Sequence, residues 1–277
     1  MPPQTYTLAG QRINRYDLYE IAAQMPDMQA RFLRAVHAGG PLRLAEDFSG
    51  PSAIARAWVA LGSAFHAIVT DRDPEPIEHA RERLRERHPQ AESRFHAIND
   101  DVLAARGTVD VIAAFNFALC ELHDRKKLVT YLRHVLMRLD ALGIFVADLY
   151  AGPGAFVPGI TEQEIDYEDE VIRYEWEQVE ADPINARVRN AMHFVLPDGK
   201  RIDNAFTYDW RLWSIAELRD AFREAGFRST EVYLQLAEAM TGDGEMLVRP
   251  VSTDGSPIDP EDLDPDEDFV AYIVARA

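Results

Sequence analysis

The chain has 277 residues, 47% of them hydrophobic, which is enough for one large α/β domain or for a domain with an insertion. Its 47 acidic and 29 basic residues give a net charge of -18, which repels nucleic acid. The single Cys120 excludes an intramolecular disulfide, and no apolar run reaches the roughly 20 residues of a membrane span. We therefore expect a cytoplasmic protein with no nucleic acid and no membrane among its partners.

The N-terminal segment has apolar residues at helical spacing. Residues 13–37 carry this pattern, and Pro26 predicts a break between two short helices. We therefore predict that residues 1–40 form a helical cover. Tyr16 and Tyr19 lie three residues apart within it, a spacing that suits contact with a ligand and packing equally well.

Strand and helix patterns alternate through the next hundred residues. Predicted strands cover residues 42–47, 65–71, 93–99, 109–116 and 143–150, and predicted helices cover residues 51–61, 74–87 and 124–140. Largely apolar strands in alternation with helices are typical of a parallel sheet that is covered on both faces. The sequence therefore predicts a doubly wound α/β domain.

The pattern then changes to period-2 alternation, which is typical of antiparallel strands. Residues 171–210, interrupted by "ADPINA" and "PDGK", predict a meander of about three strands. A helix follows, with Ser214 as its N-cap, Glu217 completing a capping box and Gly226 at its end. Two strands, "STEVYLQ" and "FVAYIVARA", flank the acidic loop "DGSPIDPEDLDPDEDF" and predict an antiparallel pair at the sheet edge. The predicted α/β domain covers residues 41–160 and 214–277, with an inserted β lid at residues 161–213.

Polar residues or turns stand at the ends of four successive predicted strands. Gly50 permits a tight turn in "EDFSGPS", Asp71 ends the next strand, Asp100 and Asp101 follow the third, and Asn116 ends the fourth. In open α/β sheets, ligands bind beyond the carboxyl ends of the strands. Each residue alone fits a turn or a helix cap, but the series of four favours a nucleoside site.

The series of motifs resembles the class I S-adenosylmethionine-dependent methyltransferases. The motifs are "EDFSGPSAIARAW", "TDRDPEPIEHA", "NDDVL", "DVIAAFNFALCEL" and "LGIFVADLY", and bacterial and plant-type members share the forms "DFxG", "NFxxC" and "DLYxG". The resemblance covers roughly residues 40–150 and the strands near residues 230 and 270. It implies a Rossmann-like doubly wound seven-stranded sheet with an antiparallel last strand, a small-molecule acceptor and S-adenosyl-L-methionine as cofactor.

The resemblance also implies individual roles. Residues 46–52 match the acidic-Gly-x-Gly-x-Gly loop around the methionine part of the cofactor, with Phe48 and Ser52 in place of the first and third glycines. Asp71 matches the acid that binds the ribose hydroxyls, Asp101 the acid near the adenine amine, and Asn116 the residue facing the methyl group. The predicted cofactor contacts are Tyr19, Glu46, Phe48, Gly50, Asp71, Arg72, Asp100, Asp101, Val102 and Asn116.

Methyl transfer from a sulfonium is an in-line displacement that needs alignment and exclusion of water, and no metal. The predicted catalytic residues are Asn116, His193 as a candidate base, and Arg211. Together with Trp210 and Trp213, Arg211 could form a substrate wall or a carboxylate clamp. Packing roles for the histidine and the tryptophans stay open. The acidic, aromatic lid favours an amine acceptor, and the protein is expected to be a monomer or a homodimer.

The sequence is also compatible with two other functions. A nicotinamide-dependent oxidoreductase shares the strand, loop, helix and terminal acid, but it normally has glycines at positions 48 and 52 and a second mononucleotide-binding half. A non-catalytic protein could bind S-adenosylmethionine and use the meander as a partner surface. Binding of S-adenosylmethionine without binding of NAD separates the first alternative from the methyltransferase, and a search for methylated product separates the second.

Overall fold

The computed structural model describes residues 4–37, 39–234, 239–240, 246–253 and 268–277. The chain divides into two compact units. Met1–Gln24 and Pro153–Leu212 form the meander unit, and Met25–Gly152 and Trp213–Ala277 form the sheet unit. Among the described residues, no helix is both long and apolar enough to cross a membrane.

The secondary structure follows the predicted alternation. The helices are α1 (Arg15–Ala23), α2 (Pro26–His37), α3 (Ala53–Ala60), α4 (Pro74–Arg87), α5 (Arg125–Arg138) and α6 (Ile215–Ala225). The strands are β1 (Thr5–Leu8), β2 (Gln11–Asn14), β3 (Arg43–Asp47), β4 (His66–Asp71), β5 (Phe95–Asn99), β6 (Val109–Ala114), β7 (Leu139–Ala151), β8 (Gly159–Tyr167), β9 (Glu170–Asp182), β10 (Arg187–Val195), β11 (Arg201–Arg211), β12 (Ser229–Tyr233), β13 (Ala239–Met240), β14 (Met246–Leu247), β15 (Ser252–Thr253) and β16 (Phe269–Arg276). Short 3-10 helices cover Pro89–Arg94, Val102–Ala104, Ala118–Glu121 and Pro153–Phe156.

The sheet unit is built on an eight-stranded sheet with the order β15-β12-β16-β7-β6-β3-β4-β5. Strands β3 to β7 are parallel, and β16 is antiparallel to both of its neighbours, β7 and β12. The predicted doubly wound sheet with an antiparallel last strand is therefore confirmed, and the two-residue β15 adds an eighth strand beside β12. Most of the acidic loop between β15 and β16 lies outside the described residues.

Two hydrophobic clusters cover the two faces of this sheet. Successive side chains of a strand point to opposite faces, so Val111 and Ala113 of β6 belong to one cluster and Ile112 and Ala114 to the other. Helices α2, α3 and α4 pack on the first face, and α5 and α6 pack on the second. The helices contribute Phe32, Trp58 and Ile77, among others, to the first face, and Tyr131, Leu132 and Phe222, among others, to the second.

The C-terminal helix has the predicted caps. The Ser214 hydroxyl accepts the Glu217 amide at 3.2 Å, and the Glu217 carboxylate accepts the Ser214 amide at 2.9 Å. Gly226 ends α6 with a φ of 111°, in the left-handed region that favours glycine. These local signals were sufficient to predict both ends of the helix.

The meander unit contains a four-stranded antiparallel sheet with the order β11-β10-β9-β8, where the sequence predicted about three strands. The additional strand, β8, was missed because it is a largely exposed edge strand that is rich in acidic and other polar residues.

The N-terminal segment contains a hairpin that the sequence analysis did not predict. An antiparallel hairpin of β1 and β2 precedes α1, so helix begins only after the Asn14 N-cap, and α1 and α2 separate before Pro26 as predicted. The division between the compact units falls at Gln24, within the segment predicted as one cover over residues 1–40. The predicted domain borders and the roles of the units in cofactor and substrate binding stay predictions.

Candidate cofactor site

The loop after β3 has an alternating left-handed backbone. Phe48, Gly50 and Ser52 have φ angles of 54°, 48° and 55°. Glycine adopts this region freely, whereas a residue with a Cβ atom does so at a cost of roughly 1–2 kcal/mol. The loop therefore has positive φ at all three positions where the resemblance expects a glycine, although two of them are Phe and Ser.

Local contacts offset the cost of this conformation. The Phe48 ring packs on Tyr131 of α5, with the ring centroids 5.2 Å apart. The Ser52 hydroxyl donates to the Ser49 hydroxyl at 3.1 Å, and the Ser52 amide donates to the Ser49 carbonyl at 2.7 Å. The Ser49 amide donates in turn to the Thr70 carbonyl at the end of β4. Phe48 and Ser52 thus hold the loop through side-chain contacts that glycine could not make.

A buried ion pair lies directly before this loop. The Arg138 guanidinium donates to the two oxygens of Asp47 at 2.7 and 3.1 Å, and the side chains are 5% and 0% exposed. The Tyr131 hydroxyl donates to Asp47 at 3.0 Å, and burial raises the pKa of this tyrosine. Asp47 therefore joins the end of β3 to α5, a role that the sequence analysis did not assign.

Glu46 is buried at the end of the same strand. Its carboxylate accepts the Ala55 amide of α3 at 2.8 Å. This contact satisfies one of the free N–H groups in the first turn of the helix and places the carboxyl group at the positive end of the helix dipole. The observed partner of Glu46 is thus α3, and the predicted contact with the methionine part of the cofactor stays a prediction.

Asp71 connects the loop to the ends of two strands. One carboxylate oxygen accepts the Gly50 amide at 2.8 Å, and the other accepts the Asp73 amide at 2.9 Å. The Asp71 carbonyl accepts the Asn99 side-chain amide at 3.0 Å and the Asp100 amide at 3.1 Å. A carboxylate has about four acceptor sites, so Asp71 keeps the capacity to accept two further hydroxyl hydrogens.

The acidic turn after β5 is exposed and ordered by its own side chains. Asp100 accepts the Asp101 amide at 2.7 Å, and Asp101 accepts the Leu103 amide at 2.9 Å. Asp101 is the N-cap of the short 3-10 helix in which Val102 is buried. Arg72, on the neighbouring turn after β4, is exposed. The Asp101 carboxylate is therefore a helix cap, and a second role for it at an adenine amine stays a prediction.

The turn after β6 is held by an aspartate that the sequence analysis did not single out. Asn116 and Phe117 have φ angles of 59° and 61°, and their amides donate to the two oxygens of Asp148 at 2.9 and 2.7 Å. Asp148 lies on β7 and is 5% exposed. Burial raises the pKa of this carboxyl to about 7, although the two amides act in the opposite direction. In the sequence, the only signal for Asp148 was the presence of an acidic residue within the apolar segment "LGIFVADLY".

The topology brings these groups to one edge of the sheet unit. The loop after β3 and the turn after β6 flank the point where the strand order reverses, which is where open α/β sheets bind ligands. A Cβ atom added at Gly50 would meet no other atom within 4 Å, so the loop faces open space at that position. Among the described residues, no group of three or more His, Cys, Asp or Glu side chains could hold a metal ion.

The remaining predicted residues belong to the meander unit. His193 is buried, and its Nδ1 accepts the Asn204 amide at 3.1 Å, which leaves Nε2 to donate to Glu177 at 3.1 Å. Both ring nitrogens are therefore engaged within the unit. Tyr19 packs on Phe206 with the ring centroids 5.1 Å apart, and Arg211 ends β11. The catalytic and cofactor-binding roles of these residues stay predictions.

The sequence "YDWRLW" is divided between the two units. Trp210 packs on Tyr208 in the meander unit, with the ring centroids 4.4 Å apart. Trp213 lies in the sheet unit, where its indole N–H donates to the Leu119 carbonyl at 3.2 Å and its ring belongs to the core. The packing interpretation accounts for the observed contacts of both tryptophans.

Comparisons with known proteins agree with the architecture. No protein-family model matches the chain, and no curated protein matches it. Solved structures do match. The CcbJ methyltransferase from Streptomyces caelestis is 16% identical, with a TM-score of 0.64 over 92% of this chain and 98% of that one.

Two further structures are similar to the same degree. CalS10, an amino pentose methyltransferase from Micromonospora echinaspora solved with S-adenosylmethionine bound, is 15% identical, with a TM-score of 0.64 over 96% of this chain and 98% of that one. The sugar N-methyltransferase KedS8 from Streptoalloteichus is 15% identical, with a TM-score of 0.61 over 100% of this chain and 98% of that one. The chain therefore has the fold of the class I S-adenosylmethionine-dependent methyltransferases.

Proposed function

We propose that this protein is an S-adenosylmethionine-dependent methyltransferase that acts on a small-molecule amine. The observation that carries the proposal is the loop after β3, which has left-handed backbone at positions 48, 50 and 52 and is hydrogen-bonded to Asp71. It lies at the reversal point of a sheet with the methyltransferase strand order. A nicotinamide-dependent oxidoreductase is not favoured, because the similar structures named above are methyltransferases.

The residues at this edge fit the cofactor chemically. Asp71 would accept hydrogen bonds from the ribose hydroxyls with the acceptor sites that its two amide contacts leave free. Asp100 and Asp101 are exposed and would accept from the adenine amine. Gly50 has no Cβ atom and faces open space, so the backbone can be approached closely there.

S-Adenosylmethionine supplies a methyl group on a positively charged sulfur. When bound, it would give this methyl group to the amine lone pair as the carbon–sulfur bond breaks with its electron pair on sulfur, and the methylated amine would release a proton. The chain has to align the amine with the methyl group and keep water out, and we assign this alignment to the turn at Asn116. No metal ion is required.

The amine acceptor is supported by the chemistry of the similar proteins. CalS10 is described as an amino pentose methyltransferase and KedS8 as a sugar N-methyltransferase. The net charge of -18 would also attract a cationic amine over the surface. A cationic amine attacks only after it has lost a proton, and His193, both of whose ring nitrogens are engaged within the meander unit, stays the candidate base for this step.

Calorimetric titration first tests whether the protein binds the cofactor. We expect S-adenosylhomocysteine and S-adenosylmethionine to bind and NAD not to bind. Transfer of a labelled methyl group to a panel of amino sugars and other small amines, with their hydroxyl analogues as controls, then tests the acceptor class. Binding of NAD alone would contradict the proposal. Binding of S-adenosylmethionine without a methylated product across the panel and a metabolite extract would favour the non-catalytic alternative.

A further inference from the structure

The buried Asp148 is the titratable group at this edge that methyl transfer itself does not use. Its carboxylate lies on β7, and each of its oxygens accepts one amide hydrogen from the turn after β6. Among the described residues, no cationic side chain contributes to its electrostatics. A buried carboxylate without a cationic partner is costly, so its position requires a specific explanation.

The two residues that it holds have an unfavourable backbone. Asn116 and Phe117 are consecutive residues with positive φ, and neither is glycine. Such a pair is energetically unfavourable and persists only where surrounding contacts enforce it. The Asp148 carboxylate supplies acceptors for both amides, and the Phe117 ring packs on Tyr150 with the ring centroids 5.1 Å apart.

We infer that Asp148 is a positioning residue that, in its ionised form, holds the Asn116–Phe117 turn in the conformation that binds the cofactor. This inference rests on the proposed function, which places Asn116 beside the reacting methyl group. A protonated carboxyl carries a hydrogen on one of its oxygens, so one of the two amides would then face a poorer acceptor. Ionisation of Asp148 and cofactor binding should therefore favour each other.

The neighbouring groups are uncharged at pH 7, and the pKa of Asp148 itself lies near neutral pH. Cys120, from the 3-10 helix Ala118–Glu121, and Tyr272, from β16, interact electrostatically with it. Burial raises the pKa of both groups, so both are uncharged at pH 7. Burial also raises the pKa of Asp148 to about 7. If only the ionised form binds, the competent fraction increases about tenfold between pH 6 and pH 8.

Asp110 offers a matched control on the same strand. It lies near the opposite end of β6, and its carboxylate likewise accepts two consecutive backbone amides, those of Leu42 and Arg43, both at 2.8 Å. The Asp110→Asn variant therefore disturbs a comparable set of backbone contacts away from the candidate site. Asp148→Asn keeps the size of the side chain and removes its ability to ionise.

The experiment measures S-adenosylhomocysteine affinity by calorimetry from pH 6 to pH 8 in the three proteins. We expect wild-type affinity to rise about tenfold over this range, because the competent fraction rises by that factor. Asp148→Asn should bind more weakly at pH 8 and show no rise, and Asp110→Asn should keep the rise. A wild-type profile in Asp148→Asn, or equal loss of the rise in Asp110→Asn, would overturn the inference.

An NMR titration of the wild-type protein tests the coupling between Asp148 and the turn without using the variants or the cofactor. The amide proton resonances of Asn116 and Phe117 should shift together as the pH passes through about 7, because their acceptor becomes charged. Absence of this shift would overturn the coupling between Asp148 and the turn. If these resonances titrate but the wild-type protein binds no S-adenosylhomocysteine at any pH, the proposed function fails, and the role of Asp148 in cofactor binding fails with it.

Discussion

The strongest prediction from the site concerns the Asp71→Ala variant. The substitution removes the two acceptor oxygens proposed for the ribose hydroxyls. A hydrogen bond to a charged group is worth about 1.5–3 kcal/mol. Since Asp71 is partly exposed, the lower end of this range applies to each hydroxyl. The sum of about 3 kcal/mol corresponds to roughly a 100-fold loss of S-adenosylhomocysteine affinity.

The same substitution also disturbs the loop, so the loss of the ribose contacts has to be separated from the loss of the loop hydrogen bonds. Asp71→Ala leaves the Gly50 and Asp73 amides without their carboxylate partner. Asp73→Ala is a matched control, because it removes a neighbouring carboxylate that caps α4 by accepting the Glu75 amide at 3.0 Å. That variant should lose about 1 kcal/mol of stability and little affinity.

A comparison of two ligands, with and without the 2′-hydroxyl, separates the loss of the ribose contact from the disturbance of the loop. The wild-type protein should bind S-adenosylhomocysteine about tenfold more tightly than its 2′-deoxy analogue, and Asp71→Ala should bind the two with equal affinity. Both titrations are made by calorimetry at one pH. An affinity of Asp71→Ala within threefold of the wild-type value, or a preserved preference for the ribose ligand, would refute the assignment of Asp71.

Three further predictions concern stability, each measured by urea unfolding. Asp47→Ala leaves the Arg138 charge buried without its partner and should cost about 3–5 kcal/mol; a loss below 1 kcal/mol would contradict the structural role of the pair. Ser52→Gly relieves the left-handed strain but loses the Ser49 contact, so stability should change by less than about 1 kcal/mol, and a larger loss would show that the hydroxyl matters more than the strain. Because the pKa of Asp148 is raised in the folded state, the wild-type free energy of unfolding should fall by up to about 4 kcal/mol, through this group, as the pH rises from about 4 to about 7. Asp148→Asn should lack this component, and an unchanged pH profile in that variant would refute it.

The sequence was most informative for features that depend on residues close together in the chain. The end of β4 at Asp71 was predictable because apolar strands alternate with helices and polar residues follow them, whereas β6 ends at Ala114, two residues before the predicted end at Asn116. The capping box of α6 depends only on residues close together in the chain. The strand pattern and the resemblance together were enough to predict the sheet and the edge at which the candidate site lies.

The features that were missed depend on contacts between distant residues. Non-glycine residues give no sequence signal of positive φ, so the backbone at Phe48 and Ser52 could not be predicted. The partners of Asp47 and Asp148 come from other elements of the fold. An acid within an apolar strand was nevertheless a usable signal, since a buried carboxylate requires hydrogen-bond donors. Both acids occur in motifs that the sequence analysis had singled out for other reasons.

A crystal structure of the protein with S-adenosylhomocysteine tests the central claim most directly. We predict that both ribose hydroxyls donate to the Asp71 carboxylate and that the sulfur lies beside the turn at Asn116. Density for the nucleoside away from the loop at Gly50, or ribose hydroxyls without contact to Asp71, would contradict it.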